Sequence, residues 1–151
     1  MRSVLAFLFM AAAGSHAAAS GGIGCEGSEG SVTLEINSGV TRGMGSPVFQ
    51  FQAKVTTTDK AIEPDLSAVT FAQEHLAQYW LDGEELRMVL YRERAAGDLG
   101  YVQLTVLTRA KGDEDEGTYA GRFEATYYEG KGASAEGRTV TVDGEVTCFV
   151  E

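Results

Sequence analysis

Apolar residues recur at every second position through much of this chain, the spacing of strands with one buried face. Val32, Leu34 and Ile36 alternate with Thr33 and Glu35. Phe49, Phe51, Ala53 and Val55 alternate with Gln50, Gln52, Lys54 and Thr56. Val102, Leu104 and Val106 alternate with Gln103 and Thr105, and Tyr119, Gly121, Phe123, Ala125 and Tyr127 share a face opposite Arg122, Glu124 and Thr126. In the last segment Val140, Val142, Val146, Cys148 and Val150 fall on the even-numbered face. Each run predicts a strand, and Cys148 points to the same side as the valines.

The middle of the chain fits two templates. Ala72, Leu76, Tyr79 and Trp80 have helical spacing, with Gly83 placed to end a helix. Asp82-Gly83 is also a two-residue hairpin signal between residues 75–81 and 85–94, where Leu86, Met88 and Leu90 alternate. The hairpin is the favoured reading. Loops are expected over 37–47, 95–100, 111–117 and 129–138, all rich in Gly, Ser or charge. Gly144 predicts either a bulge or bend in the last strand, or a tight Asp143-Gly144 turn that splits it. Seven or eight short strands imply an all-β single domain, an antiparallel β-sandwich or a small β-barrel with at most one short helix. Tyr119-x-Gly121-x-Phe123 followed by Val142-x-Gly144-x-Val146-x-Cys148 resembles the closing strands of small periplasmic β-proteins. That likeness concerns the fold and implies no function.

The N-terminus breaks the alternation. Arg2 is followed by an apolar run at residues 4–13, then Gly14-Ser15 and the small residues Ala17, Ala18, Ala19 and Ser20. This is the pattern of a cleaved signal peptide, residues 1–19, ahead of a mature β domain, residues 20–151. The run is too short to span a bilayer, which takes about 20 apolar residues. The expected location is the periplasm or the extracellular space, with no transmembrane segment.

Charge and cysteines sharpen the expectation. Lys and Arg number 12 against 22 Asp and Glu, a formal net charge of −10. Loss of the signal removes Arg2 and leaves the domain more negative still. Nucleic acid and anionic membrane surfaces recruit clustered cations, so neither is an expected partner, whereas a cationic partner is allowed. Cys25 and Cys148 are the only cysteines. In an oxidising compartment they predict one disulfide tying the first segment to the last strand. The competing reading is a lipoprotein with Cys25 as its acylated first residue, after Gly22-Ile23-Gly24.

No catalytic set is legible. After signal removal His75 is the single histidine, and no G-x-S-x-G elbow occurs. Zinc wants three or four His, Cys or carboxylate ligands and finds too few. The acids Asp113, Glu114, Asp115 and Glu116 are weak calcium candidates, because they lack the spacing of a calcium loop. Gly22 to Gly27 matches G-x-G-x-x-G, but it follows the expected signal peptide, no strand is read before it, and its Cys25 is expected to be bridged. No cofactor is expected. Adjacent aromatics split between sheet faces, which makes Tyr79, Trp80, Tyr101 and Tyr128, flanked by Arg87 and Arg92, a candidate recognition patch. The expected role is a non-enzymatic exported protein that binds a cell-envelope protein. The alternative is a carrier of a small ligand inside a barrel. A rigid loop at 39–47 or 129–138 is the expected contact of an inhibitor-like module.

Overall fold

A computed structural model of the chain describes residues 20–43, 45–112, 116–132 and 134–151. The N-terminal apolar run lies outside these residues. The described chain forms β1 (Ser20–Glu29), β2 (Val32–Thr41), β3 (Val48–Thr57), β4 (Ala68–Ala72), β5 (Leu76–Asp82), β6 (Glu85–Glu93), β7 (Gly100–Ala110), β8 (Thr118–Lys131) and β9 (Ser134–Val150). Among the described residues the one helical element is a single 3-10 turn, Gln73–His75. The helical reading of residues 69–81 therefore gives way to β4, this turn and β5, and the β5–β6 hairpin forms at Gly83-Glu84.

All pairings are antiparallel, in the order β4-β3-β2-β1-β9-β8-β7-β6-β5. Because β1 lies beside β9, the meander curls round into a nearly closed barrel. Nine strictly alternating strands would leave the first and last parallel, yet β1 and β9 are antiparallel. The resolution is that β4 and β5 run in one direction, as a single pass of the chain kinked at Gln73–His75. β4 pairs with β3 and β5 pairs with β6, so the wall has eight passes and one seam. The seam is crossed by side chains. Gln73 Oε1 accepts the Phe51 N–H at 3.4 Å, and Arg92 donates to the Thr70 carbonyl.

An eight-pass barrel has an interior just wide enough for side chains. Here Phe51, Phe71, Leu90, Leu104, Phe123 and Tyr127 point inward and are each at most 2 % exposed. One end is covered by the β3–β4 loop, whose Ile62 and Leu66 are buried. The loop is clipped in place by charge. Arg94 contacts Glu63 at 2.5 Å and Asp65 at 2.6 Å. The Glu129 carboxylate accepts the Glu63 N–H and an Arg138 N–H, both at 2.7 Å. The disulfide joins Cys25 and Cys148, which are directly paired residues of β1 and β9 and fully buried.

Several expectations are corrected. The Gly-rich segment before Val32, where no strand is expected, is β1, and residues 68–72 form β4. The loop expected over 37–47 shrinks to residues 42–47, and strands β8 and β9 run through most of 129–138. Gly144 neither bulges nor turns the chain, since β8–β9 pairing continues unbroken through Phe123–Gly144 and its neighbours. Phe49 leaves the face of Phe51. Gln50 sits at φ 52° and the β2–β3 register shifts between Asn37 and Gly39, so Phe49 turns outward, 39 % exposed, over Gly39.

Candidate binding faces

The period-two alternation that fills the barrel also sorts what it displays. On β5, Tyr79 faces inward and Trp80 outward. The Tyr79 hydroxyl is buried without a hydrogen-bond partner, and burial together with the nearby Tyr119 pushes its pKa up to about 12. Arg87 faces outward beside Trp80, its cross-strand partner, and meets Glu85 at 2.5 Å. Arg92 faces the seam at the other end of β6. Tyr101 and Tyr128 are directly paired on β7 and β8, and their rings stack at 5.1 Å. The expected patch thus divides. Trp80 with Arg87 and Tyr101 with Tyr128 form two separate sites, while Tyr79 and Arg92 join neither.

Tyr91, not singled out from sequence, extends the tyrosine stack at 5.2 Å and donates its hydroxyl to Glu93 at 2.8 Å. Burial, then the bond to Glu93 and its charge, push Tyr91 up to about 12. Tyr128 lies across Gly137, where a β-carbon would stand 2.4 Å from the ring. This tyrosine ladder braces three strands from outside.

His75 serves the kink. Its Nδ1 accepts the Ala72 N–H at 2.9 Å, and its ring meets Phe71 edge-on at 6.2 Å. Glu116 is exposed, whereas Asp113, Glu114 and Asp115 lie outside the described residues. No group of three His, Cys, Asp or Glu among the described residues is placed to hold a metal ion. No described helix is long and apolar enough to cross a membrane.

Two outward faces stand out once the register is known. On the first, Glu26 of β1 is directly opposite Glu35 of β2, and Glu124 of β8 is directly opposite Asp143 of β9. Glu145 follows Asp143 on the outer side of β9. A groove of about 570 Å³ runs across this face, lined by Glu26, Glu35, Glu145, Thr33, Thr147 and Lys54, among others. None of these five acids is in an ion pair among the described residues. The second face is the row Trp80, Arg87, Leu107 and Arg122, each directly paired to the next across β5, β6, β7 and β8. The open end of the barrel adds a depression of about 1160 Å³, with Val40, Leu81, Tyr119 and Val150 below Arg42, Glu84 and Glu151.

Comparison with known protein families, with curated proteins and with solved structures found no match to this chain.

Proposed function

We propose that this chain is an exported, non-enzymatic barrel that binds a basic protein of the cell envelope through the acidic outer face of β8, β9, β1 and β2. The observation that carries the reading is the pair of like-charge oppositions, Glu26 with Glu35 and Glu124 with Asp143. Like charges directly opposite one another on neighbouring strands lower stability by a few tenths of a kcal/mol or more. A surface that only needed net negative charge for solubility would stagger them. Places where a local rule is broken are where functional sites are expected. A basic partner relieves the repulsion on binding, and its approach is accelerated by the overall negative field.

Export is supported by the signal-like N-terminus and by the buried disulfide, which suits an oxidising compartment. With its sulfur bonded to Cys148, Cys25 has no thiol left to acylate, which weighs against the lipoprotein reading. The carrier reading needs an interior cavity. A ligand-sized void would leave its lining open to water, but Phe51, Phe71, Leu90, Leu104, Phe123 and Tyr127 inside the barrel are each at most 2 % exposed.

The test is charge reversal. Glu26→Lys and Asp143→Lys should each abolish capture of a basic envelope protein by the mature chain, while leaving the fold intact and slightly more stable, since each replaces a like-charge opposition by an attraction. Capture should weaken steeply as salt rises. Lys54 opposite Glu35 and Arg122 opposite Glu145 offset those two acids in part, which leaves Glu26, Glu124 and Asp143 as the acids without a cation directly opposite. Capture that ignores both reversals, or that is indifferent to salt, would sink the proposal.

A further inference from the structure

We propose that the outer face where β9, β1, β2 and β3 adjoin carries a binding site for a neutral glycan, with the Phe149 ring as its platform and the side-chain amides of Asn37, Gln50 and Gln52 as its polar contacts. It goes beyond the acidic-face reading and stands on different residues. Phe149 is opposite Gly24, Gly24 opposite Asn37, and Asn37 opposite Gln52, so one row of outward positions crosses four strands. Adjacent strands lie about 4.8 Å apart, so the row is about 14 Å long, room for a short run of linked sugar rings. A groove of about 440 Å³ follows it, with Gly22 and Gly24 in its floor. Phe149 is 57 % exposed, the most exposed large apolar side chain among the described residues, and stacks on no other ring there. An exposed apolar group rimmed by polar ones marks a contact surface. A β-carbon on Gly24 would meet nothing within 4 Å, whereas the missing carbons of Gly27, Gly39 and Gly144 give their room to phenylalanine rings. The hollow beside Phe149 is therefore not taken up by the protein's own packing.

The chemistry of the walls selects the guest. A side-chain amide offers two N–H donors and a carbonyl acceptor. A sugar hydroxyl, which both gives and takes a hydrogen bond, matches it in either sense. Gln50 and Gln52 spend none of theirs on another described residue. Asn37 gives one N–H to Glu35 at 3.1 Å, which steadies the side chain and leaves its carbonyl oxygen and second N–H. The C–H groups on the flat side of a sugar ring are weakly positive and suit the negative face of an aromatic ring. Glu151 is the one charged side chain of the lining, and Glu26 and Glu35 stand one outward position farther along β1 and β2. No cation lines the groove to hold phosphate, sulfate or carboxylate. The net charge of −10 also repels nucleic acids and acidic glycans. An apolar protein surface would cover Phe149 but strand three amides without partners, at a cost for each. The guest that fits is an uncharged glycan, one ring face on Phe149 and its hydroxyls on the amides.

The probes are oligosaccharides derived from cellulose, mannan and chitin, an oligouronide derived from pectin, and a single-stranded oligonucleotide, each titrated calorimetrically into the mature chain. At least one neutral oligosaccharide should bind saturably, with an affinity that salt leaves unchanged, in contrast to capture at the acidic face. Phe149→Ala should weaken that binding at least tenfold. Gly24→Val should abolish it by filling the hollow. This variant keeps the fold, because its β-carbon enters free space and a branched side chain suits a strand, and an unchanged circular dichroism spectrum and melting temperature would confirm it. Asp143→Lys, which strikes the acidic face, should leave glycan binding unaltered, so the two readings fail separately. Binding to none of the neutral oligosaccharides, preference for the oligouronide or the oligonucleotide, or full binding by both Phe149→Ala and Gly24→Val would each overturn the proposal. A dimer in sedimentation that Phe149→Ala dissolves would overturn it too, assigning the face to a second copy of the chain.

Discussion

Phe123 on β8 stands directly opposite Gly144 on β9, and its ring fills the space that a β-carbon on Gly144 would occupy. Such a carbon would lie 2.5 Å from Phe123 Cε1 and 2.6 Å from Glu29 Cβ. Gly27 on β1 yields to the same ring, where an added carbon would come within 3.0 Å. The two glycines form a trough across β9 and β1 into which the largest side chain of that region lies down.

Gly144→Ala should therefore destabilise the barrel by about 1–3 kcal/mol, the usual penalty of overpacking. Urea unfolding followed by tyrosine and tryptophan emission measures it. Adding Phe123→Leu to Gly144→Ala should recover part of the loss, because the smaller side chain vacates the contested volume. Strictly additive losses would show that the ring and the glycine do not compete.

The disulfide ties residues 123 positions apart. Restricting so long a loop in the unfolded chain is worth about 4–5 kcal/mol in the entropy model and commonly about 2–4 in practice. The double variant Cys25→Ala/Cys148→Ala should lose stability in that range. Wild-type protein unfolded in the presence of a reductant should converge on the same midpoint, whereas a reductant should leave the variant's midpoint where it was.

How far the sequence could be read depended on which residues advertise a face. Strands with branched or aromatic side chains on alternate positions, such as β7 and β9, were legible, as was the inward aim of Cys148. β1 was not, because its inward positions Ile23, Cys25 and Gly27 are set among glycines that carry no hydropathy signal. Gly144 was misread for the converse reason: a glycine looks like a break, but its purpose lies in a ring on the next strand. Phe49 kept perfect alternation on paper and still left the core, because the backbone at Gln50 turns left-handed. The candidate faces depended on register. Nothing local in the sequence says that Glu26 meets Glu35, or that Trp80, Arg87, Leu107 and Arg122 line up, since those pairings are set by where the turns fall.

Tyr127 is buried with its hydroxyl unpartnered, and burial pushes its pKa up to about 12. A phenol whose folded pKa exceeds the unfolded value near 10 supports the fold fully below that value and withdraws support as pH climbs toward the folded one. Tyr127→Phe should leave stability at neutral pH unchanged or raise it by up to about 1 kcal/mol. It should also flatten the decline between about pH 10 and 12. A neutral-pH loss of more than about 1 kcal/mol would reveal a partner for the hydroxyl, such as a buried water.

Glu129 obeys the opposite sign. Burial by itself would raise its pKa, but the Glu63 N–H and the neighbouring Arg138, with Arg94 farther off, outweigh that and hold it below the ordinary carboxylate value. Its contribution is therefore complete above the unfolded pKa and vanishes as pH falls through the depressed one. Glu129→Gln should cost about 1–2 kcal/mol at pH 7, the scale of a hydrogen bond to a charged group. The gap between variant and wild type should close as the solution is taken well below about pH 4. A gap independent of pH would mean that packing, not charge, fastens the β3–β4 loop.

The barrel's two discontinuities sit at different kinds of bond. Where the β ladder is interrupted, at the kink between β4 and β5, the peptide backbone runs on unbroken. Where β1 and β9 meet, far apart along the chain, the ladder is intact and a sulfur bridge adds a second covalent path. The described polypeptide is thus topologically a ring. A protease that cut once at Gln73–His75 would release no fragment, leaving two half-walls joined through Cys25 and Cys148 and still zipped along β1 and β9.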